Sequence, residues 1–354
     1  MKQSVKNYKR VVIKIGSSLF YSSKNELDAN LVNEITGQIS ELVKDKKEVI
    51  LVTSGAIALG MSILKLEQRP RELAILQAAA AVGQHELMDI YRKFFKARSL
   101  NCGQILLTWD DFDNRRRYLN AKSTVLKLLK LNCIPIINEN DTVSTEEIRF
   151  GDNDRLSALV ATMVNADLLV ILSDVDGLLD RDKRVIRVVD EITHEIKALA
   201  NPTKRKTSVG GMITKIEAAK IAVNSGIPCV IANGRTEDII LSVVKSEGAQ
   251  GTLFVSKQGL TARERWLAFG TKTKGKVFVD DGAKVALINK KSLLCVGVTD
   301  LEGSFSVGDV VSVRDKQNVE FARGKVGVSS RDLDKAKGRR FDKEIIHRDN
   351  IVIL

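Results

Sequence analysis

Histidine, cysteine, proline and aromatic residues are all scarce in this 354-residue chain, and the scarcity excludes several kinds of protein. The four cysteines (Cys102, Cys133, Cys229 and Cys295) lie far apart and form no CxxC pair, which argues against a disulfide framework or a structural zinc. The three histidines (His85, His194 and His347) are scattered too, and none falls in a polar loop that reads as a site. No apolar run approaches the roughly 20 residues needed to span a bilayer. The segment Met1 to Arg10 is polar and basic, with no apolar signal core behind it. The chain reads as cytoplasmic, with no membrane partner. What remains is 44% hydrophobic and 28% charged, ordinary for a globular enzyme of about two domains.

The formal charge of +12 is unevenly spread. From Gly259 to the end there are 19 basic and 13 acidic residues, so +6 falls on the last 96 positions and +6 on the 258 before them. A basic tail suits a polyanion partner such as RNA; a solvated basic face reads the same residues. Trp266, Phe278, Phe305, Phe321 and Phe341 are mostly embedded in apolar runs, whereas stacking platforms for single-stranded RNA need exposed rings.

Short Val/Ile/Leu runs alternate with longer amphipathic stretches up to about residue 255. Strands are expected at Val11–Ile15, Glu48–Thr53, Gly103–Leu107, Ile134–Ile137, Leu168–Leu172 and Pro228–Ala232, and helices at Ala29–Val43, Arg71–Ala97, Tyr118–Leu131 and Met212–Asn224. Continuous apolar strands separated by helices predict an α/β fold, a mostly parallel sheet with helices on both faces. Ligands in such folds sit at the carboxyl ends of the strands. Beyond Thr261 short β-like runs (Lys276–Val279, Val285–Leu287, Leu293–Val298, Val310–Val313, Ile351–Leu354) alternate with turn signals at Asp281-Gly282, Glu302-Gly303 and Gly308-Asp309. Residues 1–258 are therefore expected to form a catalytic domain, and 259–354 a small, mostly β domain. The basic stretch Lys335–Arg340 reads as an exposed loop.

The densest chemistry follows the strand at Ile136-Ile137. Asn138-Glu139-Asn140-Asp141-Thr142 and then Gly151-Asp152-Asn153-Asp154 offer many directed hydrogen-bonding groups for a small polar ligand. A loop with two Asx-type helix caps is the plainer reading. Lys14-Ile15-Gly16-Ser17-Ser18 ends the first strand, where glycine and the following amides suit phosphate oxygens. Thr53-Ser54-Gly55-Ala56 opens a helix, a place for an anion or simply a serine cap. Ser208-Val209-Gly210-Gly211-Met212-Ile213-Thr214-Lys215 suits a loop over di- or triphosphate, or a plain linker. Ser173 and Asp174 add a polar edge, and Asp174-Val175-Asp176-Gly177 is more simply an Asp-Gly turn than half a calcium loop. Two lysines, a phosphate-cradling backbone and no base fit phosphoryl transfer to a carboxylate, which is already ionised at neutral pH.

Together these motifs, with Leu106-Leu107-Thr108 and Arg117-Tyr118-Leu119-Asn120-Ala121, closely resemble the glutamate 5-kinases of the amino acid kinase family. Val279-Asp280-Asp281-Gly282-Ala283, Gly308-Asp309-Val310-Val311 and Ala322-Arg323-Gly324 resemble the PUA domain appended to them. The resemblance runs over nearly the full length. It implies ATP-dependent phosphorylation of the γ-carboxylate of L-glutamate to γ-glutamyl phosphate, the first step of proline biosynthesis. It also implies that Lys14 and Lys215 contact the phosphates, and that Asp154 orients them. Ser54, Asp141 and Asn153 would bind glutamate, with Asp152 nearby. Ser173, Asp174 and residues 209–215 (Val209, Gly210, Gly211, Met212, Ile213, Thr214, Lys215) would hold ATP, with Mg2+ bound mainly through phosphates and water. A homo-oligomer (dimer or tetramer), feedback inhibition by proline, transfer of the product to a glutamyl phosphate reductase, and RNA binding by the PUA-like domain are further implications. One departure stands out: the family has Gly-Thr before Gly-Gly-Met, where this chain has Ser208-Val209. A lost hydroxyl contact costs about 0.5–1.5 kcal/mol, so weaker ATP binding is expected rather than loss of activity. Kinases for aspartate, N-acetylglutamate or carbamate are the rivals within the fold; an RNA-binding regulator is the rival outside it.

Overall fold

The computed structural model describes residues 8–20, 28–144, 152–200, 211–245, 250–256, 260–337 and 343–354. The chain divides into two compact units, Met1–Asp111 with Arg115–Gly259, and Phe112–Asn114 with Leu260–Leu354.

The first unit is built on an eight-stranded sheet. Its strands are β1 (Arg10–Ile15), β2 (Glu48–Val52), β3 (Asn101–Leu107), β4 (Cys133–Glu139), β5 (Leu168–Ser173), β6 (Val188–Val189), β7 (Cys229–Asn233) and β8 (Thr252–Phe254), in the order β3-β4-β2-β1-β5-β7-β8-β6. All pairings are parallel except β7 with β8. Between the strands run α1 (Ala29–Lys44), α2 (Ala56–Ile63), α3 (Leu73–Lys96), α4 (Trp109–Asp113), α5 (Arg115–Lys130), α6 (Asp152–Val164), α7 (His194–Leu199), α8 (Met212–Asn224) and α9 (Ile239–Lys245). All six residues of β5 are buried, as expected for a strand covered on both faces. On one face Val11, Ile13, Ile15, Val49, Leu51, Val170 and Leu172 pack with apolar residues of α1, α3 and α9. Each such fully buried side chain contributes about 1.5–3 kcal/mol. Period-two alternation sends Val12 and Lys14 to the other face, where α6 packs on β1 and on α8. The chain enters mid-sheet at β1, turns to β2 on one side and later to β5 on the other. The strand order therefore reverses at β1, which opens a crevice at its carboxyl end.

The second unit contains α10 (Ala262–Arg265), β9 (Gly275–Val279), α11 (Asp281–Ile288), β10 (Val298–Gly303), β11 (Val310–Arg314), β12 (Glu320–Lys325), α12 (Ser330–Ala336) and β13 (Ile351–Ile353). Its five strands pair in the order β10-β9-β11-β12-β13 around Val277, Val279, Val311, Val313, Leu333 and Ile346. Two expectations fail here. Val285–Leu287 is helical, because the Asp280 side chain accepts from Ala283 N (2.7 Å) and starts α11 where a turn was read. Leu293–Val298 is a single bridge from Leu293 to Ile346 followed by a 3-10 turn at Cys295–Gly297, and strand β10 begins only at Val298. Glu302-Gly303 closes that strand. Of the basic stretch, Lys335 and Ala336 end α12, and 338–340 lie outside the described residues.

Candidate active site

The crevice at the end of β1 holds three buried charges. Lys14, Asp154 and Lys215 are exposed by 6%, 1% and 7%. Lys14 Nζ lies 2.5 Å from Asp154 Oδ1, and Lys215 Nζ lies 3.2 Å from Asp154 Oδ2. Thr214 Oγ1 donates to the same Oδ2 at 2.8 Å, and Ser157 Oγ donates to the Asp154 carbonyl at 2.5 Å. Lys14 comes from the last turn of pleat in β1, Asp154 from the first turn of α6 and Lys215 from the first turn of α8. Burial pushes the Lys14 ammonium below its ordinary range, helped by the Lys215 charge and opposed by Asp154. Burial pushes Asp154 upward, but the two ammonium groups outweigh it and hold the carboxyl below its usual value. Two buried ammonium groups share the one buried carboxylate. Such a cluster is completed by an anion.

Backbone groups and further polar side chains border it. Gly16 N donates to Leu172 O (3.0 Å), which brings the Gly16-Ser17-Ser18 loop to the end of β5. There Ser173 is buried, with Oγ lacking a hydrogen-bond partner among the described residues, and Asp174 is exposed. Gly211 is the N-cap of α8, followed by Met212, Ile213 and Thr214. Val209 and Gly210 lie outside the described residues, as does Ser208.

A second set lies one residue away along α6. Asn153 Nδ2 reaches Ser54 Oγ (2.9 Å), Thr53 O (2.9 Å) and Asn138 Oδ1 (3.0 Å). Gly55, at φ +104°, makes the left-handed turn that launches α2 directly after Ser54. Thr53 Oγ1 is held by the buried Tyr91 hydroxyl at 2.9 Å, and the Tyr91 ring meets Phe20 edge-on and stacks on Phe95. Asp141 stands half-buried in the turn after β4. Asp152 begins α6. The structure thus joins Lys14, Asp154, Thr214 and Lys215 in one group, and Ser54 with Asn153 in another, the two meeting at the start of α6. Asn138 lies in the polar run noted from sequence, but its bridging place does not show there. Tyr91 and Gln84, whose Oε1 accepts from Asn138 Nδ2 at 2.7 Å, carry no sequence signal, since both sit in an ordinary helical pattern.

A mostly parallel sheet with its switch point at a buried, lysine-lined crevice suits an anionic ligand such as a phosphate. The chain belongs to the amino acid kinase family, which residues 9–233 match, and residues 275–348 match the PUA domain. It is 42% identical to the glutamate 5-kinase of Thermoanaerobacter sp. (strain X514), covering 98% of both chains. It is 45% identical to that of Rhodopseudomonas palustris (strain BisA53), over 99% of this chain and 97% of the other. Against the glutamate 5-kinase of Nitrosospira multiformis the identity is 44% over the full length of both. Among solved structures, N-acetylglutamate synthase from Neisseria gonorrhoeae, complexed with coenzyme A and N-acetyl-glutamate, shares the fold with a TM-score of 0.52. Its identity is 15%, over 71% of this chain and 60% of that one.

Proposed function

We propose that this protein is a cytoplasmic glutamate 5-kinase. It transfers the γ-phosphoryl group of ATP to the γ-carboxylate of L-glutamate, giving γ-glutamyl phosphate for proline biosynthesis. The observation that carries the reading is the clamp of Asp154 on Lys14 and Lys215, placed one residue from the Asn153–Ser54 pair. In it a phosphate-binding group and a carboxylate-binding group adjoin.

Lys14 and Lys215 neutralise charge on the phosphoryl group as it moves, and Asp154 fixes the separation of the two ammonium groups. The Ser54 hydroxyl and the start of α2 take a carboxylate of glutamate, and Asp141 takes its ammonium. Ser173, Asp174 and residues 209–215 border the nucleotide. The acceptor oxygen is already ionised, so the side chains position and neutralise rather than remove a proton. No group of three His, Cys, Asp or Glu that could hold a metal occurs among the described residues. Exposed Asp174, whose charge acts on Lys14, is the carboxylate that would meet the waters of a Mg2+ carried on the phosphates. Bound so, the ion would offset phosphate charge. A homo-oligomer, inhibition by proline and a reductase that takes up the labile product belong to the same reading and rest on the family resemblance.

The test is ATP turnover by the purified chain with Mg2+ and L-glutamate, trapping the acyl phosphate with hydroxylamine. L-Aspartate, N-acetyl-L-glutamate and Lys215→Ala serve as comparisons. A hydroxamate formed with glutamate alone, and lost in the variant, supports the reading; turnover with another acid, or none, overturns it.

A further inference from the structure

We propose that Gln84, on α3 and far in sequence from Lys14 of β1 and Lys215 of α8, is a positioning residue for the acceptor substrate. This rests on the reading of Ser54 and Asn153 as the glutamate-binding pair. Gln84 follows Gly83 on α3. A Cβ on Gly83 would lie 1.8 Å from Ala56 O and 2.4 Å from Gly60 N, so α3 touches the backbone of the first turn of α2. Gln84 is therefore held at a fixed distance from the Ser54-Gly55 turn.

Its side chain begins a directed chain of hydrogen bonds. Gln84 Oε1 accepts from Asn138 Nδ2 (2.7 Å), and Asn138 Oδ1 accepts from Asn153 Nδ2 (3.0 Å) and from Glu139 N (3.0 Å). Asn153 Nδ2 in turn reaches Ser54 Oγ (2.9 Å). An amide has one donating and one accepting end, so the order cannot reverse at one member alone. Glu139 N on the Asn138 oxygen and Thr53 O on Asn153 Nδ2 set the same sense from the backbone. Asn153 shares its two hydrogens among Thr53 O, Asn138 Oδ1 and Ser54 Oγ, and Gln84 anchors the far end of the Asn138 amide in that sense. Ser54 Oγ then receives a hydrogen, and its own is directed to another acceptor, the incoming carboxylate. Gln84 Nε2 is buried with no partner among the described residues. The accepting end of Gln84 is the one engaged.

The experiment measures glutamate and ATP KM by hydroxamate trapping for the full chain. The variants are Gln84→Met, Gln84→Glu, Asn138→Asp and the double variant Gln84→Met with Asn138→Asp. Loss of the acceptor in Gln84→Met should raise the glutamate KM about tenfold, with the ATP KM and melting temperature little changed. Gln84→Glu keeps an oxygen for Asn138 and should recover most of that loss. An aspartate at 138 has only accepting ends, so it holds Asn153 in the same sense unaided. In that background Gln84→Met should change the glutamate KM less than about twofold. Should Gln84→Met fail to fold, Gln84→Ser, too short to reach Asn138, carries the same expectation.

An unmoved glutamate KM in Gln84→Met, a parallel rise in ATP KM, or an equal loss in both backgrounds overturns the proposal while leaving the kinase assignment intact. A wild-type chain without glutamate turnover overturns the assignment, and the proposal with it.

Discussion

One carboxylate holds two cations: Asp154 Oδ1 lies 2.5 Å from Lys14 Nζ, and its Oδ2 takes Lys215 at 3.2 Å. All three side chains are buried, and the carboxylate bridges the two lysines. Spacing between the cations is therefore set before any phosphate arrives, which is the condition for charge stabilisation without reorganisation at the moment of transfer.

Removing the shared partner takes the Asp154 carboxylate away from two buried ammonium groups. Asp154→Asn should cost about 3–5 kcal/mol in folding stability, read from denaturant unfolding. Its kcat should fall at least about 100-fold. An equally stable, active variant would show that the clamp is dispensable.

The same cluster gives a signed pH dependence. Asp154 is held below its unfolded value of 3.8, so its stabilisation is present above about pH 4 and is lost as pH falls through the folded pKa. Lys14 is lowered from 10.5, so between its folded value and 10.5 the unfolded chain binds more protons and stability is gained as pH rises. Urea unfolding of wild type and Lys14→Met from about pH 7 to about pH 10.5 should show the difference shifting in favour of the wild type. A pH-independent difference would contradict the lowered Lys14.

Ser54→Ala removes one hydroxyl from the acceptor side and leaves the lysine clamp alone. A lost hydrogen bond of about 0.5–1.5 kcal/mol predicts a glutamate KM raised roughly 2- to 13-fold, with the ATP KM unchanged in steady-state kinetics.

Two glycines should respond unequally to alanine. At Gly83 the added methyl meets Ala56 O at 1.8 Å, backbone that cannot step aside, so Gly83→Ala should destabilise by at least about 1–3 kcal/mol. At Gly211 nothing lies within 4 Å and φ is −71°, so Gly211→Ala should melt within a degree or so of wild type, at about ±0.5 kcal/mol. Thermal melts of the pair decide it.

In the second unit Asp280 caps α11 through Ala283 N. Asp280→Ala should cost about 0.5–2 kcal/mol, measurable by chemical denaturation, with the glutamate and ATP KM unaltered.

Period and composition were enough to place β1, β2, β5 and α8 to within a residue or so, because a buried parallel sheet writes itself as uninterrupted Val/Ile/Leu. The same reading mistook Val285–Leu287 for a strand. There one capping carboxylate outweighed β-branched propensity, an effect visible only once the Asp280 side chain is seen turned back on the backbone. In the site, Lys14 and Ser54 stood out as charged or small residues at strand ends, and Asp154 as part of the polar set that follows the loop after β4. Gln84 and Tyr91 did not, since their part depends on which helix face meets Ser54 and Asn138, and that is settled by the packing of α3 on α2.

The placement of β1 at the centre of the sheet also sets an order of assembly. Lys14 is made early and Lys215 about 200 residues later, a delay of roughly 10–40 s at ordinary synthesis rates. Until β5, α6 and α8 have left the ribosome, the lysine on the central strand has neither carboxylate nor neighbour and must stay hydrated. The middle of this sheet therefore cannot dry out until α8 is made, and a nascent chain stalled before α8 keeps its core open around Lys14, which is buried in the finished enzyme.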